Sequence, residues 1–161
     1  MRAVDTSNNL GPYSNTASAG TPAAPSGLVA AYAFDEGSGT TVTDASGNGN
    51  GGTIAGATWS SAGKYGSALS FNGSSSRVTI ANSSSLQLSS GMTLEAWVNP
   101  ATVSSAWRDV IEKGNDNYFL MATTTQSSDA GGGGIIGGSY GQVFTTSPLA
   151  ANTWSFLALT Y

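Results

Sequence analysis

The chain has no cysteine and no histidine among its 161 residues. The first absence excludes disulfides, thiolate nucleophiles and thiolate metal sites; the second removes the commonest proton shuttle and zinc ligand, so nucleophile triads lack their base. Charge is scarce too: 9% of residues are Asp, Glu, Lys or Arg, against roughly 25% in ordinary soluble domains. Five basic residues against nine acidic ones leave a net charge of −4, and no Lys/Arg stripe is present to neutralise a phosphate backbone or an anionic bilayer. Nucleic acid and lipid surfaces are therefore not expected as partners. No apolar run approaches the roughly eighteen residues of a membrane span, and no basic segment followed by an apolar stretch marks a signal peptide. An export signal, if the protein is secreted, lies outside this sequence.

What the chain does have is Gly, Ser, Thr, Asn and Ala in abundance, the composition of an extracellular β-rich protein, and enough length for one full domain and a little more. Short runs of aromatic and branched residues bounded by Gly, Asn, Ser or Pro predict strands at Leu28–Phe34, Ala68–Asn72, Ser76–Ala81, Met92–Asn99, Arg108–Lys113, Tyr118–Thr124, Gly134–Tyr140 and Trp154–Tyr161. In T-L-E-A-W-V-N, Leu94, Ala96 and Val98 fall on one face and Thr93, Glu95, Trp97 and Asn99 on the other. No window carries a helical period, and a two-sheet antiparallel sandwich fits. The patch D-A-G-G-G-G, Asp129 to Gly134, reads as a flexible loop.

From Leu28 the chain runs LVAAYAFDEGSGTTVTDASGNGNGGTI and, after a spacer, W-S-S-A-G-K-Y-G-S-A-L-S-F-N-G to Gly73. In order and spacing this resembles the start of a laminin-G-like, concanavalin A-type jelly roll of bacterial secreted proteins, over roughly Gly27 to Tyr161. The resemblance implies an all-β jelly-roll sandwich and, since most such domains are non-catalytic modules, no enzymatic activity. Residues 1–21, with a polar turn at Asp5 to Gly11, then Tyr13 and N-T-A-S-A, resemble the last hairpin of a fibronectin type III domain; a polar leader is the alternative. Residues 22–27, P-A-A-P-S-G, read as a linker, and 28–161 as the N-terminal two-thirds of the jelly roll. The turn and later strands that normally follow W-S-F-L-A-L-T-Y in that family are not seen, so the expectation is an incomplete sandwich. Its first strand, Leu28–Phe34, would then carry an open edge prone to association.

Asp44, Ser46, Asn48 and Asn50 place oxygen-bearing side chains at alternate positions between glycines. Such a loop can offer calcium hard oxygen ligands, although Ala55 stands where an EF-hand would need a bidentate Glu. An Asx-type turn bonding local amides is the alternative. The resemblance implies a structural calcium ion with Asp44 as first ligand, Asn48 supplying a carbonyl oxygen, and Asp35 or Glu36 as further candidates. Related jelly rolls also include β-glucanases, whose active strand resembles Glu-x-Asp-x-x-Glu. The nearest counterpart, Glu95, has no carboxylate partner at 97 or 100, and by strand period Asp109 and Glu112 fall on opposite faces. For carbohydrate, the candidates are Trp107, Arg108 and Asp109, then Asp116 and Tyr118 one turn later, and Tyr140. Trp97, Trp154, Phe71, Phe119 and Phe156 read as inter-sheet core, Trp107 equally as packing at a strand start, and Arg108 with Asp109 as a surface ion pair. The expected function is a non-catalytic, extracellular carbohydrate- or ligand-binding module joined to neighbouring domains of a larger bacterial secreted protein. An adhesive spacer and, more remotely, a glycoside hydrolase are the other readings.

Overall fold

The computed structural model describes residues 2–4, 10–13, 26–114, 116–136 and 138–161. In chain order the strands are β1 (Arg2–Val4), β2 (Leu10–Tyr13), β3 (Thr41–Val42), β4 (Gly52–Ala55), β5 (Thr58–Ser60), β6 (Ala68–Ser70) and β7 (Arg77–Ile80). After a 3-10 turn, Ser84–Leu86, come β8 (Thr93–Val98), β9 (Arg108–Lys113), β10 (Tyr118–Thr123), β11 (Asp129–Ile136), β12 (Ser139–Pro148) and β13 (Ser155–Thr160). Among the described residues every pairing is antiparallel. The sheets run β12-β11-β10-β9, β13-β8, β3-β4-β7, β5-β6 and β1-β2. Among the described residues no helix is long and apolar enough to cross a membrane.

The main core lies between the four-stranded sheet and the β8–β13 pair. Alternation sends Leu94 of β8 and Leu157 and Leu159 of β13 inward, where they meet Tyr118 and Leu120 of β10, Ala130 of β11 and Met92. Ala96 and Val98 pack against the same cluster, while Thr93, Glu95 and Trp97 face outward, as the period-2 pattern of this segment predicts. The antiparallel all-β sandwich expected from the sequence is thus present.

Several local expectations are corrected. Leu28–Phe34 is not a strand, so the open edge assigned to it does not exist. Its backbone is held by side chains of the Asp44–Asn50 loop instead of by a neighbouring strand. Asp129–Gly134 is not a loop: it is most of β11, with Gly131 to Gly134 all buried, and Gly134–Tyr140 spans the turn between β11 and β12. Phe71 and Phe156 are each 50% exposed and Trp97 39%, so of the aromatic residues expected in the core Phe119 is buried, at 1%, and Trp154 is half-buried. Strands β3, β4 and β5 are too short and too rich in Gly, Thr and Ser to have stood out. In residues 1–21 the structure describes only the β1–β2 pairing, Arg2 opposite Tyr13 and Val4 opposite Leu10. The rest of that segment and most of the linker lie outside the described residues.

Candidate carbohydrate-binding face

Because Tyr118 and Leu120 point into the core, Phe119 and Met121 point to the opposite face of the four-stranded sheet. Cross-strand partners share a face, so the register extends this one across the sheet. Phe119 pairs with Glu112 on β9 and Gly133 on β11, and Gly133 with Gln142 on β12; Met121 pairs with Asp109 and Gly131, and Gly131 with Phe144; Ile135 pairs with Tyr140. The two glycines explain how the rings lie. A Cβ on Gly131 would come within 2.9 Å of the Phe144 ring, and one on Gly133 would collide with the Gly141 carbonyl oxygen. With no side chain on β11 at that position, Tyr140 reaches across from β12 and stacks over Phe119, ring centroids 6.4 Å apart and planes 29° from parallel. Phe119 is sealed beneath it, while Tyr140 stays 54% exposed and donates its hydroxyl hydrogen to Gln142 Oε1 at 3.1 Å.

Carboxylates border this ring on the β9 side. The register slips between Leu120, opposite Ile111, and Met121, opposite Asp109, so that one extra residue, Val110, enters β9 as a β-bulge. Val110 and Ile111 both pack on the core, and Asp109 and Glu112 emerge together on the Tyr140 face. The expectation that they occupy opposite faces is therefore overturned, and the bulge is the physical reason. Partial burial, followed by the Asp109 and Asp116 carboxylates, pushes the Glu112 carboxyl above its ordinary range.

Of the residues singled out for carbohydrate, Asp109 and Tyr140 are brought to one face, and exposed Asp116 lies near enough to Glu112 to act on its charge. Tyr118 is not available: it is 5% exposed, in the core, with its hydroxyl donating to Leu86 O at 3.2 Å. Arg108 donates to Gly73 O at 2.8 Å, tying β9 to the turn before β7, and Trp107 stands 46% exposed at the start of β9. The sequence reading missed Glu112 and Gln142 as members of the face. Glu112 was masked by the bulge, and Gln142 lies beyond the end of the strand expected at Gly134–Tyr140.

The Asp44 loop is a separate construction. Asp44 Oδ1 accepts from Ala31 N at 3.0 Å and Ser46 N at 2.9 Å; Oδ2 accepts from Ser46 Oγ at 2.8 Å and Asn50 N at 2.9 Å. Burial raises its pKa, yet the bonds from Ser46, Ala31 and Asn50 outweigh that and hold the carboxyl below its ordinary value. Asn48 turns its amide nitrogen, not its oxygen, toward Leu28 O and Val29 O. Asn50, 3% exposed, bonds Val29 O and Ser85 Oγ through Nδ2 and accepts from Ser83 Oγ, while its carbonyl accepts from Tyr32 OH. Burial first, then the Asp44 carboxylate, pushes the Tyr32 hydroxyl up to about 12. The other two metal candidates are engaged apart from this loop, Glu36 with Thr43 N and Asp35 with Ser67 N. Asp44 already has two donors on each oxygen, and among the described residues no three acidic side chains converge. This donor set does not fit calcium; it is the Asx-type turn, built as a clamp on the segment Leu28 to Tyr32.

A laminin G family model, described as the concanavalin A-like lectin/glucanases superfamily, matches residues 72–161, more than half of the chain. That stretch contains β7 to β13, and with them the whole Tyr140 face. No curated protein and no solved structure matched.

Proposed function

The chain belongs to the concanavalin A-like lectin/glucanases superfamily, and from that premise we propose that it is a non-catalytic, extracellular carbohydrate-binding module whose site is the exposed face of β9 to β12. The observation that carries the proposal is the Tyr140 ring, laid flat over Phe119 across Gly133 and flanked by Gln142, Glu112 and Asp109. A flat, exposed ring presents a π-face to the C–H side of a pyranose, while the carboxylates and amide at its margins accept and donate hydrogen bonds to hydroxyls. The acidic margin of Asp109 and Glu112 favours a neutral polysaccharide over an anionic one.

The test is retention on a panel of insoluble neutral polysaccharides. Tyr140→Ala should weaken retention about tenfold, ~1.4 kcal/mol, with little change in melting temperature, because the ring is half in solvent. Equal retention by wild type and Tyr140→Ala would overturn the site. Binding to none of the panel would favour an adhesive spacer.

Hydrolysis is a second reading with one observation in its favour: the bulge that sets Asp109 and Glu112 on one face. It requires release of reducing sugar from a bound polysaccharide, abolished in Glu112→Gln. Binding without turnover keeps the module reading.

A further inference from the structure

We infer that the end of the sandwich where β9 passes to β10 and β11 to β12 holds a second binding site, for a single carboxylate-bearing sugar unit of the hexuronate type. A cavity of about 310 Å³ lies there, between these strand ends and the segment that joins the 3-10 turn to β8. That is the lower end of the roughly 300 to 1,000 Å³ of small-ligand sites, which suits one ring and not a length of chain. Its floor is apolar. Tyr118 is buried there with its hydroxyl donating to Leu86 O, and Leu88 packs against the core cluster. Such a floor meets the C–H side of a pyranose.

The polar groups set the charge of the ligand. Lys113 pairs with Tyr118 and so shares the inner face of the sheet, whereas its neighbour Glu112, opposite Phe119, faces outward. The Lys113 ammonium donates to Asn82 Oδ1, and Gln87 Nε2 donates to the same oxygen at 2.7 Å. One acceptor thus holds a lysine and an amide side by side and ties the end of β9 to the segment after the 3-10 turn. An ammonium group has three protons, and Asn82 takes one of them. None of the described residues lining the cavity is acidic. A half-buried cation on walls without carboxylates is complementary to an anion. Gln87, Ser89 and Asn117 add two amides and a hydroxyl at the margin for ring hydroxyls. One negative charge, several hydroxyls and an apolar ring face together describe a sugar acid; an inorganic anion or a fatty acid meets only part of that set. The inference goes beyond the neutral-chain reading of the Tyr140 face, whose margin carries the opposite charge.

The probes are methyl glucuronide, methyl glucoside, which has the same ring with a hydroxymethyl group in place of the carboxylate, and acetate, which has the carboxylate without the ring. Backbone amide chemical shifts, assigned by residue, are followed by NMR as each is added. The glucuronide should shift Gln87, Ser89, Lys113 and Asn117 saturably and bind about tenfold or more tighter than either control, equivalent to at least ~1.4 kcal/mol. Lys113→Gln should lower glucuronide binding to the level of the glucoside, and Lys113→Arg, which keeps the charge, should retain most of it. Both variants should keep the retention on neutral polysaccharide that Tyr140 supplies, so failure of one site is told apart from failure of the other. Equal affinity of the wild-type chain for glucuronide and glucoside would overturn the site whether or not the variants fold. So would the absence of saturable shifts in large excess of glucuronide, or a response centred on Tyr140 in place of these four residues.

Discussion

Asp44 shows how a residue type that suits two chemistries is assigned by its neighbours. An acidic residue among glycines and asparagines can hold a cation or organise a turn, and here four donors from Ala31, Ser46 and Asn50 occupy both oxygens. Asp44→Asn places an N–H₂ against one of those donors and should cost about 2 kcal/mol near neutral pH. The folded pKa lies below the unfolded value of about 3.9. The clamp's charge-dependent contribution is therefore complete above that value and lost as pH falls through the folded one. Urea unfolding at about pH 7 and about pH 3 should show the gap between wild type and variant narrowing in acid; an unchanged gap would remove Asp44 from the acid response. Melting temperatures in calcium and in chelator should coincide, and a rise of several degrees in calcium would mean that the clamp opens to admit the ion. The loop and both of its readings were legible in local sequence. The choice between them was not, because the deciding partners Ala31, Val29 and Tyr32 lie 13, 21 and 18 residues from the Asp44 and Asn50 groups they meet.

At the level of elements, β9 and β11 make opposite lessons. The branched residues of R-D-V-I-E-K and the Gly114 that bounds it located β9 to the residue, yet hid the bulge, since an inserted residue is defined only against the partner strand. β11 offered no signal: four successive glycines have no side chains to alternate, and composition alone favours a loop. The glycines are there because neighbouring groups occupy the Cβ positions, Phe144 at Gly131, Leu159 at Gly132 and the Gly141 carbonyl at Gly133. Gly133→Ala should therefore destabilise the protein by about 3 kcal/mol, despite replacing glycine in a strand by a residue of lower conformational entropy. Chemical denaturation would read this directly, and a neutral or stabilising substitution would show that β12 can move away from β11.

For the whole molecule, one apolar cluster joins the two facing sheets, with Leu120 at 4% exposure contributed by one and Leu157 and Leu159 at 7% by the other. Leu120→Ala should cost about 3 kcal/mol and weaken both sheets together, so that far-ultraviolet circular dichroism and tryptophan fluorescence still report one transition. Separated transitions would mean that the sheets unfold independently. The sequence by itself determined that the chain is all-β, antiparallel and sandwiched, because period-2 alternation and turn residues are local properties that survive without knowledge of partners. It also excluded thiol and imidazole chemistry outright. Tertiary structure decided which aromatic residues are core and which are surface, sending Tyr118 inward and leaving Trp97 and Phe156 outside. It decided too that Asp109 and Glu112 share a face and that Tyr140 lies over Phe119. Each of these depends on register between strands far apart in the chain, a quantity that no single segment contains.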